Sequence, residues 1–176
     1  MKTRTLVLIG VLIIALAAMA MPVMADDVGV SGDLGSGGTF TVTNQTLKFA
    51  SFAPGSTNYI SPTALDSIGS NFASIHMTDI NDPAWHIDVS GTNSGYMTTG
   101  SYTLGSAMGI KNATAVSGIG GITAPQALTG SAAQLFTGGV LTGTTDIPLE
   151  LSQAVAVGDT AATGYAITVT VQYTSS

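Results

Sequence analysis

The sequence predicts an all-β protein: an antiparallel β-sandwich, Ig-like in architecture, behind an N-terminal signal helix. Three observations predict it. Charged residues make up only 8% of the 176-residue chain, while Thr, Ser and Gly are abundant. Helices normally carry Glu, Lys, Arg and Gln on their wet faces, so a surface of Thr, Ser and Asn suits strands and turns. From residue 38 onward, short apolar–polar alternations recur between turn-forming residues. That alternation argues against the disorder that a Gly/Ser/Thr-rich composition otherwise favours.

Residues 1–25 have the layout of a secretory signal peptide. Lys2 and Arg4 form a positive start, residues 6–20 are apolar and uncharged, and Pro22 breaks the helix. Small residues ending at Ala25 give the expected cleavage point. Residues 6–25 would also be long enough to act as an uncleaved anchor, which takes about 20 apolar residues. Pro22 and the acidic Asp26-Asp27 favour cleavage. The expected location is therefore secreted, extracellular or cell-surface associated.

Residues 26–37 read as a flexible, Gly-rich lead-in, and residues 38–176 as one sandwich domain with enough chain to bury a core. Without Lys2 and Arg4, only Lys48 and Lys111 face ten carboxylates, a formal charge of −8. Such acidity repels nucleic acid and anionic membrane. Membrane contact is expected only if the signal is retained. There is no cysteine, so no disulfide holds the fold.

The elements follow in order. Residues 38–43 alternate with Phe40 and Val42 on one face. Asn44-Gln45 is a turn, and residues 46–52 read as the second strand of a hairpin. Residues 53–70, with Pro54 and Pro62, read as a loop. Residues 75–79 alternate again. Residues 84–90 form the clearest early strand, with Trp85, Ile87 and Val89 inward and His86, Asp88 and Ser90 outward. Residues 91–100 read as a polar loop. Strand signals return around residues 102–104 and 108–116. Residues 117–144 are Gly-rich and carry little pattern. Ile147, Leu149 and Leu151 share a face. Residues 165–173 alternate without a fault, with Ile167, Val169, Val171 and Tyr173 on one side, which predicts a central strand.

The segment Thr78-Asp79-Ile80-Asn81-Asp82-Pro83-Ala84-Trp85-His86-Ile87 resembles the first signature of the WxL family of cell-surface domains. The tyrosine-led final strand from Tyr165 to Tyr173, and the small-residue turn before it, resemble that family's ending. The resemblance spans about residues 37–176. It implies a sandwich fold, motif positions at Asp79, Trp85, Ile87 and Tyr165, and a cell-wall-binding role. Here the first motif is Trp-x-Ile, and the last strand holds valines and threonines where the family carries a second tryptophan. A tryptophan on an inward strand face is in any case core by default.

Other signals are local. Asp79, Asn81, Asp82 and Asp88 supply oxygen ligands close together, a weak calcium candidate whose spacing is not that of an EF-hand. Turn chemistry accounts for the same residues. Asn44-Gln45-Thr46 and Asn112-Ala113-Thr114 are glycosylation sequons. His86 and Asp88 share a strand face, and His76 stands apart. No nucleophile with a defined base and no third metal ligand accompanies them, so no catalytic residue and no cofactor are expected.

Two functions fit these signals. The first is a non-catalytic envelope protein that binds or decorates the cell surface through a glycan or envelope protein. Tyr59, Tyr96 and Tyr102 are then the aromatics expected to be exposed. The second is an extracellular filament subunit that donates an N-terminal strand to its neighbour, with Val28, Val30 and Leu34 as anchors. Its partner is a second copy of the chain. No C-terminal sorting motif or second apolar segment is evident, so retention on the cell is expected to be non-covalent, by assembly, or through an uncleaved N-terminus.

Overall fold

Strand periodicity decides which side of each segment meets the core, and the buried residues follow it closely. The computed structural model describes the backbone of residues 24–33 and residues 38–63, 67, 69, 71–121 and 124–175. The expected signal helix falls outside them, apart from its last two residues.

Among the described residues, fourteen strands make two sheets. They are β1 (Met24–Asp33), β2 (Thr39–Thr43), β3 (Thr46–Leu47), β4 (Thr57–Ile60), β5 (Ser74–Thr78), β6 (Trp85–Gly91) and β7 (Tyr96–Thr98). There follow β8 (Thr103–Ala107), β9 (Gly109–Asn112), β10 (Ile119–Gly121), β11 (Gln126–Ala127), β12 (Ala133–Gly138), β13 (Thr144–Ala154) and β14 (Thr163–Ser175). Among the described residues the one helical piece is a 3-10 turn, Thr92–Gly95. The first sheet runs β10-β12-β6-β14-β1-β3, with β7 on β14 and β8 on β7. The second runs β11-β9-β13-β5-β2, with β4 on β13. Every pairing is antiparallel except β1 with β14. The all-β sandwich expected from the sequence is the fold observed.

The core lies between the sheets. β6 buries Trp85, Ile87 and Val89, and β14 buries Tyr165, Ile167, Val169, Val171 and Tyr173. From the facing sheet come Phe40, Val42, Ile75, Met77, Ile147, Leu149 and Leu151. The alternation assigned from sequence to β2, β6, β13 and β14 is therefore the one that packs. β14 is central, flanked by β6 and β1.

The differences have physical causes. Residues 46–52 do not return as a hairpin: β2 pairs with β5 in one sheet, and β3 with β1 in the other. The turn at Asn44 carries the chain across the sandwich. Phe49 and Phe52 are buried, but the ladder stops at Leu47. The loop expected over residues 53–70 contains β4, because the far half of β13 needs an edge partner. The polar loop at residues 91–100 holds the 3-10 turn and β7. In that turn Asn93, Ser94 and Gly95 all have positive φ (52°, 57° and 88°). A Cβ on Gly95 would meet the Leu128 carbonyl oxygen at 2.0 Å, so only glycine fits there.

The flexible lead-in is the main correction. Residues 26–33 are strand, not linker, since β1 covers Met24–Asp33. β14 presents a long row of backbone groups on that side, and this segment satisfies them.

Candidate assembly site

β14 organises the site. Along one edge it pairs with β6, and with β7 at Ala166. Along the other edge lies β1, in parallel. Parallel neighbours need a long connection, and here it is nearly the whole domain. Pairing is unbroken from Asp27↔Ala166 to Asp33↔Gln172.

The register gives β1 its logic. Val28, Val30 and Gly32 are matched with Ile167, Val169 and Val171, which are core residues. Gly29, Ser31 and Asp33 are matched with Thr168, Thr170 and Gln172, which are exposed. Matched positions in a parallel pair share a face. Val28 and Val30, two of the three expected anchors, thus stand at register positions matched with core residues of β14. Leu34, the third expected anchor, lies outside the described residues.

The far side of β1 is lightly held. β3 pairs only with Val28 and Gly29. Two register shifts fall between Met24 and Asp27, on either side of Ala25. Cleavage after Ala25 would remove only this irregular end. β1 is therefore an N-terminal strand, joined to the rest through residues 34–38, that completes a sheet. Without it, β14 would present an open edge, which other strands can pair with.

The motif residues have structural partners. Trp85 is 2% exposed. Its indole Nε1 donates to the Gly139 carbonyl at 2.6 Å, and its ring stacks on Tyr173 with centroids 6.0 Å apart. Ile87 is buried beside it. Tyr165 is buried, and its hydroxyl donates to the Thr160 carbonyl at 2.8 Å, a link of the tyrosine-corner kind. Burial first, then the charges of Asp159 and Tyr102, raise the Tyr165 pKa above the ordinary phenol value. Burial and the bond to Asp82 raise that of Tyr173 further.

The expected calcium ligands point to different tasks. An Asp79 carboxylate oxygen accepts the Gly143 amide at 2.8 Å, in a backbone with φ of 51°. Asp82 accepts the Tyr173 hydroxyl. Asp88 meets His86 at 3.2 Å on the outer face of β6. Asn81 is exposed. Among the described residues no group of three or more acidic or histidine side chains could hold a metal. His76 lies on the other sheet, with its Nδ1 2.7 Å from Asp146. The two histidines therefore do not form one site.

Of the three tyrosines, Tyr102 and Tyr59 are exposed, at 48% and 36%, and Tyr96 is half-buried. Sequence reasoning missed Asp159, whose carboxylate accepts the amides of Gly105 and Ala156 at 2.8 and 2.7 Å. It ties β8 to the turn before β14. A lone aspartate in a Gly-Asp turn carries no signal for a partner 54 positions away.

No family model matches the chain, and no curated protein matches it. Among solved structures it is similar to a chain from the structure of a chaperone-usher pilus, at 12% identity and a TM-score of 0.37. The overlap covers 58% of this chain and 67% of that one.

Proposed function

We propose that this chain is a non-catalytic, secreted structural subunit that assembles with copies of itself by exchanging β1, building an extracellular filament. One observation carries the reading: the N-terminal strand fills a seam beside β14 that the rest of the domain leaves open. The same contacts form whether β1 comes from its own chain or from the next, so exchange costs little in contact energy. A short connector between exchanged elements favours the swap. Residues 34–38 lead from β1 in one sheet to β2 in the other. Head-to-tail exchange does not close on itself and extends into fibres.

The chain has no cysteine, which makes the test clean. Val30 and Val169 are register partners. Single variants Val30→Cys and Val169→Cys are mixed at high concentration under oxidation. A disulfide-linked pair of one copy of each is expected, and a ladder is expected from the double variant. Only intramolecular closure in the double variant, with no mixed pair, would refute exchange.

Binding to a cell-surface glycan is the second reading, in line with the WxL resemblance. An open cleft of about 580 Å³ beside β14 favours it. Thr46, Thr92, Asn93, Thr98 and Thr168 line this cleft with uncharged polar groups suited to sugar hydroxyls. Trp85, being core, does not contribute. Retention of the protein on isolated cell wall, lost on adding soluble wall glycan, would support it.

A further inference from the structure

We propose that Asn44 carries an N-linked glycan and that Asn112, in an identical sequon type, does not. The inference rests on the secreted location proposed above, since the modification occurs outside the cytoplasm.

The two sequons sit in different surroundings. Asn44 and Gln45 form the exposed connection between β2 and β3, and Thr46 is exposed as well. Asn44 has φ of 51°, a left-handed turn conformation that asparagine tolerates. Asn112 ends β9, where it is paired with Leu149 of β13. The next residue is held too, its amide donating to the Pro148 carbonyl at 2.8 Å. β10 runs beside the half-buried Asn112 amide: a Cβ on Gly121 would sit 3.2 Å from its Nδ2. A sugar on Asn112 would have to fit between β10 and the held end of β9.

The Asn44 amide can be modified without losing its anchor. Its Nδ2 donates to the Phe72 carbonyl at 2.7 Å. An amide nitrogen has two protons. In the transfer, Nδ2 bonds to the sugar C1 of a polyprenyl-phosphate-linked oligosaccharide. The C1–O bond breaks, the lipid phosphate leaves with the bonding pair, and one Nδ2 proton passes to a base of the transferase. The second N–H remains and can keep the Phe72 bond. Asn44 also lines a cleft of about 480 Å³ with Pro62, Phe72 and Pro148, an apolar wall for the first sugar.

The position has a physical use. β2 ends one sheet and β3 ends the other, and Asn44 joins them. Edge strands invite unwanted pairing, and a bulky solvated group beside both blocks it. Assembly is then confined to the β14 seam.

The test is glycopeptide mapping and intact mass of the protein from its native cells, with its N-terminus sequenced. The peptide holding Asn44 is expected to carry glycan, and the peptide holding Asn112 to be bare. Asn44→Gln and Thr46→Ala should each remove the added mass, while Thr46→Ser keeps it. A bare Asn44, or glycan on Asn112, overturns the proposal. An N-terminus at Asp26 beside a bare Asn44 leaves the secreted location standing, whereas an intact Met1 brings both down.

Discussion

The Tyr173 hydroxyl donates to the Asp82 carboxylate and so ties the last strand to the turn that leads into β6. The Tyr173 ring also stacks on Trp85, so one residue holds the start of β6 by both its face and its tip. Removing a hydrogen bond to a charged group costs about 1.5–3 kcal/mol, and Asp82 is half-exposed and can rehydrate. Tyr173→Phe is therefore expected to lose about 1–2 kcal/mol in urea unfolding. An unchanged midpoint would mean the bond adds nothing.

Alkaline pH tests the same contact from the other side. Folding raises the pKa of Tyr165 and of Tyr173 above the phenol value of 10.0. The folded state therefore favours the neutral phenols. Their contribution is complete below pH 10 and is lost as pH climbs through the folded values. Stability should hold level from neutral pH to near 10 and then fall. Phenolate absorbance of the two buried tyrosines should appear only with unfolding. In Tyr173→Phe the alkaline fall should be shallower.

Gly138 lies opposite Trp85 across β12 and β6, and a Cβ there would come within 2.0 Å of the indole. Neither the ring nor the ladder can yield easily. Gly138→Ala should cost about 3 kcal/mol, the upper end for overpacking. Trp85 is the sole tryptophan, so its fluorescence reports the disturbance directly. Gly158 has nothing within 4 Å of a Cβ, and Gly158→Ala should stay within about 0.5 kcal/mol of the parent. Equal losses in both variants would contradict the packing argument.

These contacts mark how far the sequence is legible. β2, β6, β13 and β14 could be read because large apolar residues take every second position there, and one face was bound to be buried. Trp85 as a core residue followed from the same rule. β1 could be read only as a strand donated to another copy and not as a member of its own sheet, because Gly29 and Gly32 lower its strand propensity. It becomes a strand through an edge supplied more than a hundred positions later. The crossing at Asn44 was equally hidden: local pattern gives a strand its inward face but not its sheet. Asp79, Asp82 and Asp88 looked like one acidic cluster in sequence, and three separate backbone and side-chain partners divide them in space.

That division predicts the response to calcium. Asp79 and Asp82 already serve an amide and a phenol, and Asp88 faces His86 on the outer surface. Extracellular calcium sites bind at about 0.1–1 mM. Neither calcium in that range nor a chelator should move the Tm. A rise with calcium would show that these side chains can regroup around an ion.

The His76–Asp146 pair is short, at 2.7 Å, yet its side chains are 38% and 62% exposed. Water competes for both partners. Asp146→Asn should therefore change stability by less than about 1 kcal/mol, whatever the pair's appearance. A larger loss in urea unfolding would mean that the pair is more shielded than its exposure implies.

The β14 seam supports the strongest prediction, because the occupant can be removed and returned. A chain beginning at Gly38 lacks β1 and leaves the β14 edge unpaired from Tyr165 to Gln172. It should unfold at a lower temperature than the full protein and self-associate. A synthetic peptide of residues 26–33 should restore the Tm, since a ligand that binds only the folded state adds about 2.7 kcal/mol at a hundred times its Kd. The restoration must depend on peptide concentration. A peptide with Val28 and Val30 both replaced by Asp should fail, because those positions match the buried Ile167 and Val169. If the truncated chain melts like the parent, or if both peptides work equally, β1 is not the element that completes the sheet, and assembly by its exchange has no physical basis.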